Sequence, residues 1–198
     1  MPETLQSRTL KTRARLVAAA EEVISETGYG ALRVEEVVRR AGVAKGTFFA
    51  HFPDKDALMD RLIGARVDGI LDDLAGQDAP GSLQNLISVL TPLMRFMAHE
   101  RYVFDVILRH SGAAQKDDIG PIAMTFGRFI EILTPWLCGS VFRTDASPEI
   151  LAEGVQAFLI NTIALHFCAL HNDRPASAHL ERYLSLWLMP QSPLDLNG

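Results

Sequence analysis

The feature that most constrains this chain is the spacing of its apolar residues, which recur every three to four positions between glycine and proline breaks. Leu83, Leu86, Leu90, Leu93 and Met97, for example, share one face of a helix with 3.6 residues per turn. No segment alternates apolar and polar residues with the period of two that a half-buried strand requires. The sequence therefore predicts an all-α protein of about nine helices. Their expected bounds are 9 or 11 to 27, 32–41, 44–52, 54–74, 82–97, 101–110, 121–137, 147–170 and 176–188.

The acidic total charge conceals a mildly basic N-terminal third. The 198 residues carry 19 Lys and Arg against 24 Asp and Glu, for a net charge of −5. Residues 1–66 hold 11 Lys and Arg and 9 Asp and Glu, whereas residues 67–198 hold 8 and 15. A basic end on an acidic body presents cations locally, so the total charge does not exclude a nucleic-acid partner.

Cysteine use and hydropathy indicate an intracellular protein. Cys138 and Cys168 form no CxxC pair, so the chain is no disulfide scaffold and suits a reducing cytosol. The polar N-terminus lacks the apolar core of a secretory signal. Residues 154–172 carry no formal charge, but Gln156, Asn161 and His166 make them too polar for an isolated membrane helix. We expect a cytoplasmic protein with no membrane partner.

Residues 33–52 have the pattern of a helix-turn-helix. Gly42 supplies the unusual backbone angles of the turn, and Val37, Val43 and Phe48 are spaced to lock the two helices together. Such a brace lets the second helix project side chains into a major groove. The basic segment 8–15 suits phosphate contact. An ordinary corner between two helices, with a solvated basic arm, remains the alternative on this pattern alone.

A wider set of residues resembles the DNA-binding domain of the tetracycline-repressor (TetR) family of bacterial regulators, over about residues 10–70. The matching residues are Gly28, Ala41-Gly42-Val43, Lys45-Gly46-Thr47-Phe48-Phe49, His51-Phe52-Pro53-Asp54-Lys55 and Ala57-Leu58. The resemblance implies a bacterial, nucleoid-associated DNA-binding repressor that a small-molecule effector releases from a palindromic operator. It also implies a larger helical effector-binding and dimerisation domain after the DNA-binding domain. It implies a recognition surface comprising Lys45, Gly46, Thr47, Phe49, Ala50, His51 and Lys55.

The sequence departs from the family pattern at four positions. Phe49 occupies a position where the family usually has Tyr, and it lacks the hydroxyl that reaches a phosphate. Ala50 occupies a position where the family commonly has a larger residue. Arg33 replaces a capping Thr or Ser, and Val38 replaces an Ala at a close helix contact. These departures bear on the operator sequence and affinity, and leave the expected fold unchanged.

The expected organisation is a DNA-binding head and a helical body. We assign residues 1–9 to a flexible arm, 10–70 to the DNA-binding domain, 71–190 to the effector and dimerisation domain, and 191–198 to a flexible tail. Two alternatives stay open: an effector-independent DNA-binding or partner-binding module, and an all-α enzyme. Phosphate-loop, GxSxG and HExxH motifs are missing, and His166, Cys168 and His171 do not converge on one helix face, so we predict no enzyme, cofactor or metal site.

Aromatic and methionine side chains of the second domain suit an apolar pocket for an apolar or aromatic small molecule. The predicted lining is Met94, Met97, Phe104, Phe126, Phe129 and Phe158. The polar groups that could orient such an effector are Arg95, His99, His110, Arg128, Gln156 and Asn161, and the first four are the candidates to receive a carboxylate or hydroxyl. The alternative is that these side chains form solid core.

The last two helices offer more apolar surface than one subunit of this size needs. Pairing each with its symmetry mate would form a four-helix interface in a C2 homodimer. The predicted interface residues are Leu159, Ile163, Tyr183 and Trp187.

Overall fold

The computed structural model describes residues 2–112, 119–139, 141–170 and 174–189, with side chains from residue 7 onward. Over these ranges the chain forms nine α-helices and no strand, as the apolar spacing predicts. In chain order they are α1 Pro2–Thr27, α2 Val34–Ala41, α3 Lys45–His51, α4 Lys55–Ala75, α5 Leu83–Met97, α6 Arg101–Ser111, α7 Pro121–Trp136, α8 Pro148–His166 and α9 Ala176–Leu188. We call α1–α3 the head and α4–α9 the body.

Three helices begin at the caps that the sequence predicts. The Asp54 carboxylate accepts a hydrogen bond from Ala57 N at 2.8 Å at the start of α4. The Ser82 hydroxyl accepts from Asn85 N at 3.1 Å before α5, and the Ser147 hydroxyl from Ile150 N at 3.4 Å before α8. Each cap satisfies one of the backbone N–H groups that a helix leaves without an internal partner.

Two predicted bounds differ from the structure. Helix α1 begins at Pro2, so residues 2–9, expected as an arm, lengthen the first helix. Residues 2–10 contain no glycine and no proline beyond Pro2, which suits the first helical turn. Helix α8 ends at His166, before the predicted residue 170. The predicted tail, 191–198, lies outside the described residues.

The head is a three-helix unit closed around aromatic side chains. Phe48 of α3 and Phe52 after it are 0% and 1% exposed, and they pack with Leu16 of α1 and Val37 of α2 in one apolar core. Gly42 ends α2 with φ of 61°, a left-handed conformation that L side chains rarely adopt. This turn sets the angle at which α3 leaves α2.

Helix α4 passes from the head into the body and packs there against α5, α6 and α7. Its buried Asp60 carboxylate accepts a hydrogen bond from Ile122 N at 3.0 Å, which caps the first turn of α7. Helices α8 and α9 pack on each other and against α5 and α7. Among the described residues, no helix is long and apolar enough to cross a lipid bilayer.

Candidate nucleic-acid interface and internal cavity

Helix α3 turns one face into the head and the other to solvent. Phe48 is buried, while Lys45, Gly46, Phe49 and Ala50 are exposed. Thr47 and His51 are half-buried at the edges of the exposed face. Six of the seven predicted contact residues therefore lie on or beside one outward surface, and the seventh, Lys55, begins the next helix. We call these seven residues the α3 surface.

Lys45 carries the positive charge at the start of this surface. Its ammonium lies 2.6 Å from the Glu35 carboxylate of α2, and both side chains are more than half exposed. Hydrogen bonding by Lys45 lowers the pKa of Glu35 below its usual value. An exposed pair of this kind has little net strength, so a phosphate can replace the carboxylate at small cost.

The two arginines of α2 are engaged within the head. Arg40 lies 2.7 Å from Glu36 and bonds the Glu26 carboxylate of α1, and Arg39 bonds Glu36 at 2.9 Å. The hydrogen bonds from Arg39 and Arg40 hold the pKa of Glu36 at about 2. The Arg40–Glu26 pair ties α2 to α1, whereas the pairs with Glu36 lie within α2.

The basic segment 8–15 divides into exposed and structural arginines. The Arg13 guanidinium lies 5.1 Å from the centroid of the Phe52 ring, a cation–π contact beside the end of α3. Arg15 donates to the Ala41 carbonyl at the end of α2 and so braces the turn. Arg8 and Lys11 are exposed on α1. These roles cannot be told apart from the sequence, because they depend on how α1 packs.

Lys55 differs from Lys45 in its surroundings. Its ammonium lies 4.7 Å from the centroid of the Tyr102 ring and 3.4 Å from the Gly30 carbonyl. Burial lowers the pKa of Lys55 below its usual value. The body residue Tyr102 thus touches a predicted phosphate contact of the head.

A small cavity lies in the body where α4, α5, α6, α7 and α8 meet. Its volume is about 30 Å³, enough for a water molecule but not for a drug-sized ligand. Thr125 and Gln156 are the polar residues of its lining, and Gln156 Nε2 donates to the Phe126 carbonyl at 2.9 Å. The lining residues are Val67, Leu71, Leu93, Met97, Ile107, Ile122, Thr125, Phe126, Phe129, Gln156, Leu159 and Ile160.

Of the predicted pocket residues, the structure brings Met97, Phe126 and Phe129 to this cavity. Phe104 packs instead on Phe167, and Phe158 stacks on Tyr183 between α8 and α9 at 5.2 Å between ring centroids. Met94 lies beside an outer cleft. Helical spacing identifies which residues share a face, but not which neighbouring helix that face meets.

Of the predicted polar groups, Gln156 lines the cavity, whereas Arg95, His99, His110, Arg128 and Asn161 lie away from it. Arg128 pairs with Asp68 and Asp72 of α4 on the outer side of α7. His110 Nδ1 lies 4.0 Å from the Asp60 carboxylate. Arg95 borders the outer cleft, and the His99 side chain is 68% exposed. The polar lining is therefore uncharged, and it consists of Gln156, which is predicted from the sequence, and Thr125, which is not.

The predicted interface residues are largely occupied within one subunit. Leu159 and Ile163 are 2% and 0% exposed and belong to the core of the body. Tyr183 is half-buried, and the half-buried Trp187 donates its indole N–H to the Leu151 carbonyl at 3.0 Å. The apolar side chains that α8 and α9 turn to solvent are Ile150, Leu186 and, just after α9, Met189, which are 49%, 63% and 37% exposed.

Within the described ranges, no group of three or more His, Cys, Asp or Glu side chains gathers as a metal site. Cys168 and His166 lie at the end of α8, whereas His171, the third residue of that sequence cluster, falls outside those ranges.

The curated relatives described below match about half of the chain. The HTH-type transcriptional regulator YvdT of Bacillus subtilis is 32% identical over 50% of this chain and 52% of its own length. The HTH-type transcriptional repressor KstR of Rhodococcus jostii is 28% identical over 56% and 55%. The chain thus spans about half the length of these relatives.

Solved structures share the fold over most of the chain. Thermus thermophilus FadR, a TetR-family repressor solved with lauroyl-CoA, superposes with a TM-score of 0.62 at 21% identity, over 91% of this chain and 97% of that one. SmeT in complex with triclosan gives 0.58 at 19% identity, over 90% and 92%. Residues 16–62, which include the whole helix-turn-helix, match the family model of the bacterial regulatory proteins of the tetR family. The helix-turn-helix region of this chain is therefore similar to that of the bacterial regulatory proteins of the tetR family, and the rest of the chain shares their fold.

Proposed function

We propose that this protein is a homodimeric DNA-binding repressor that leaves its operator when an uncharged, apolar small molecule opens the cavity in its body. The observation that carries the proposal is the α3 surface. A seven-residue helix is held by a buried aromatic core on one side and presents a lysine, an open backbone and an aromatic ring on the other. That arrangement suits insertion into a major groove.

Each residue of the α3 surface has a role set by its chemistry and position. Lys45 and Lys55 contact phosphates, which sets the register of the head on the duplex. A side-chain atom placed at Gly46 would meet nothing within 4 Å, so the DNA backbone can approach there closely. His51 donates to a base edge, and Phe49 and Ala50 offer apolar contact to a thymine methyl.

A second copy of the chain is the partner that the outer face of α8 and α9 suits. Ile150, Leu186 and Met189 are exposed there, and the small side chain of Ala157 on α8 is exposed as well. Small residues allow two helices to approach closely, and a twofold axis brings two α3 surfaces to one palindromic site. Dimerisation would cover the most exposed apolar side chain of α9.

The lining of the cavity indicates the class of effector. It contains no charged side chain, and a charge enclosed there would have no counterion. The part of the effector that enters is therefore uncharged and mostly apolar, with at most a hydroxyl or carbonyl for Gln156 and Thr125. The acyl-CoA in FadR and the triclosan in SmeT, though ligands of other proteins, both include an apolar group.

DNA binding is tested by mobility shift on the DNA upstream of the gene, at several salt concentrations. We expect Lys45→Ala to weaken specific and random DNA alike and to lower the salt slope by about one unit, since one phosphate contact is lost. His51→Ala should lower specificity by about 1–3 kcal/mol at one base pair. Arg143→Ala, which removes a charge from the body, is the control. Wild-type affinity for both head variants would reject the α3 surface.

The effector class is tested with a matched pair of small probes, 4-ethylphenol and 4-ethylbenzoate, in thermal-shift and mobility-shift assays. The neutral phenol should stabilise the protein and weaken operator binding, whereas the carboxylate should do neither. Gln156→Leu should reduce the response to the phenol. If no neutral probe changes operator affinity, the result would favour the second candidate, an effector-independent DNA-binding module. The small volume of the cavity also favours this candidate.

A further inference from the structure

Glu100 joins the body to the head by two hydrogen bonds. It stands at the N-cap of α6, and its carboxylate accepts from Tyr29 N and Gly30 N, each at 2.9 Å, across about 70 residues of sequence. These N–H groups belong to the turn between α1 and α2. Glu100 makes no side-chain cap for α6, so its carboxylate serves the head rather than its own helix.

The turn is shaped to receive this carboxylate. Gly28 has φ of 84°, and a Cβ at that position would lie 2.8 Å from Glu100 Oε1. Glycine is therefore required twice, by the backbone angle and by the close approach. Hydrogen bonds from two successive N–H groups to an ionised carboxylate are stronger than neutral ones.

Two further contacts surround Glu100 on the same segment, residues 96–102, which we call the α5–α6 corner. The Phe96 ring meets Tyr29 edge-on, with 5.9 Å between centroids. The Tyr102 ring lies under the Lys55 ammonium. The corner thus contacts both the turn before α2 and the start of α4. The helix-turn-helix lies between these two points of the chain.

The same corner is continuous with the cavity wall. Leu93 and Met97 of α5 and Ile107 of α6 line the cavity, on either side of Glu100 in the sequence. Because the cavity holds about 30 Å³, any larger molecule must displace its walls. A shift of α5 or α6 would move the Glu100 carboxylate with them.

We propose that Glu100 is a positioning residue that couples the cavity to the orientation of the head through the α5–α6 corner, in parallel with α4. The effect of this coupling on DNA affinity rests on the proposed function. The coupling itself is a property of the free protein. Opening of the cavity pulls the carboxylate from Tyr29 N and Gly30 N and releases the turn that precedes α2.

Hydrogen exchange measures the coupling without DNA. Ile107→Trp overfills the cavity and serves as a covalent stand-in for a ligand, with the smaller Leu93→Phe as a second variant should the first not fold. Either folded variant should speed exchange at amides 29 and 30, as should Glu100→Gln, by about tenfold for loss of a charge-assisted bond. Unchanged exchange in the folded cavity variants would overturn the proposal. The control is Glu131→Gln, at an exposed position on α7.

A double-mutant cycle then measures the consequence for DNA. A cavity variant should lower affinity for the upstream DNA by about tenfold when Glu100 is present, and by less than about threefold with Glu100→Gln. A residue that only stabilised the fold would give equal factors in both backgrounds, and equal factors would reject Glu100 as the link. If no variant and no wild type binds that DNA, the proposed function fails, while the exchange result still decides the coupling.

Discussion

Phe48 and Phe49 are neighbours in sequence with opposite environments, 0% and 47% exposed. Their rings meet edge to face at 5.3 Å between centroids, so the buried ring supports the exposed one. The sequence predicts the inward role of Phe48 from the spacing of the helix-turn-helix. How much of Phe49 stays exposed depends on how α1 covers the head, and sequence spacing does not contain that information.

Gly64 and Gly69 of α4 give a matched test of close helix packing. A Cβ at Gly64 would lie 2.6 Å from Pro121 Cβ and 2.9 Å from the Pro121 carbonyl carbon, whereas at Gly69 it meets nothing within 4 Å. Gly64→Ala should therefore destabilise the protein by about 1–3 kcal/mol through overpacking. Gly69→Ala should stabilise it by about 0.5–1 kcal/mol through helix propensity.

Urea unfolding of the two variants beside wild type measures both effects. The same substitution in the same helix should shift the midpoint in opposite directions. Stabilisation by both would mean that α4 and α7 do not meet at Gly64 as described.

At the scale of elements, α1 and α2 are joined by charge as well as by the apolar core. Arg40 of α2 bonds Glu26 of α1 and Glu36 of its own helix. The hydrogen bonds to these two carboxylates raise the pKa of Arg40. The sequence places these residues on helices but does not show that they meet.

The Glu36 carboxylate should make this contact pH-dependent. Its pKa is lowered from 4.5 to about 2 by the hydrogen bonds from Arg39 and Arg40. A carboxyl with a depressed folded pKa contributes stability above its unfolded pKa and loses it as pH falls toward the folded value. Glu36→Gln should therefore cost stability at pH 6–7 and progressively less between about pH 4.5 and 2.

Urea midpoints of wild type and Glu36→Gln across this pH range check the prediction. Glu131→Gln, which changes the same functional group on an exposed part of α7, should show no such convergence. A Glu36 difference that stays constant from pH 7 to 2 would contradict the ion-pair network.

At the scale of the whole molecule, two routes connect the cavity with the α3 surface. Helix α4 lines the cavity with Val67 and Leu71 and begins with Lys55. The α5–α6 corner reaches the turn before α2 through Glu100. Both routes end at the head of one subunit. A change in the orientation of the head therefore alters affinity for a palindromic operator only if a dimer holds its two heads at a fixed spacing.

Dimerisation through the outer face of α8 and α9 supplies that spacing and can be tested by mass. Ile150→Glu with Leu186→Glu should place like charges across the twofold axis and give particles of 21.8 kDa in sedimentation, against twice that mass for wild type. Operator affinity should fall together with the dimer. Leu108→Glu, at a similarly exposed apolar position on α6, is the control. A wild type that sediments as a single chain would reject the interface.

The sequence alone determined the helices and the helix-turn-helix, because caps, turns and apolar spacing act over a few residues. The residues of the α3 surface were expected from the resemblance to the TetR family. The sequence also predicted an apolar pocket and an interface on the last two helices. Only the tertiary structure decided that Leu159 and Ile163 face inward, that Gln156 and Thr125 are the polar lining, and that Glu100 reaches Tyr29 and Gly30. These facts depend on how helices that are distant in sequence pack and rotate against one another. The apolar periodicity of a helix shows which residues share a face, but not which other helix that face will contact.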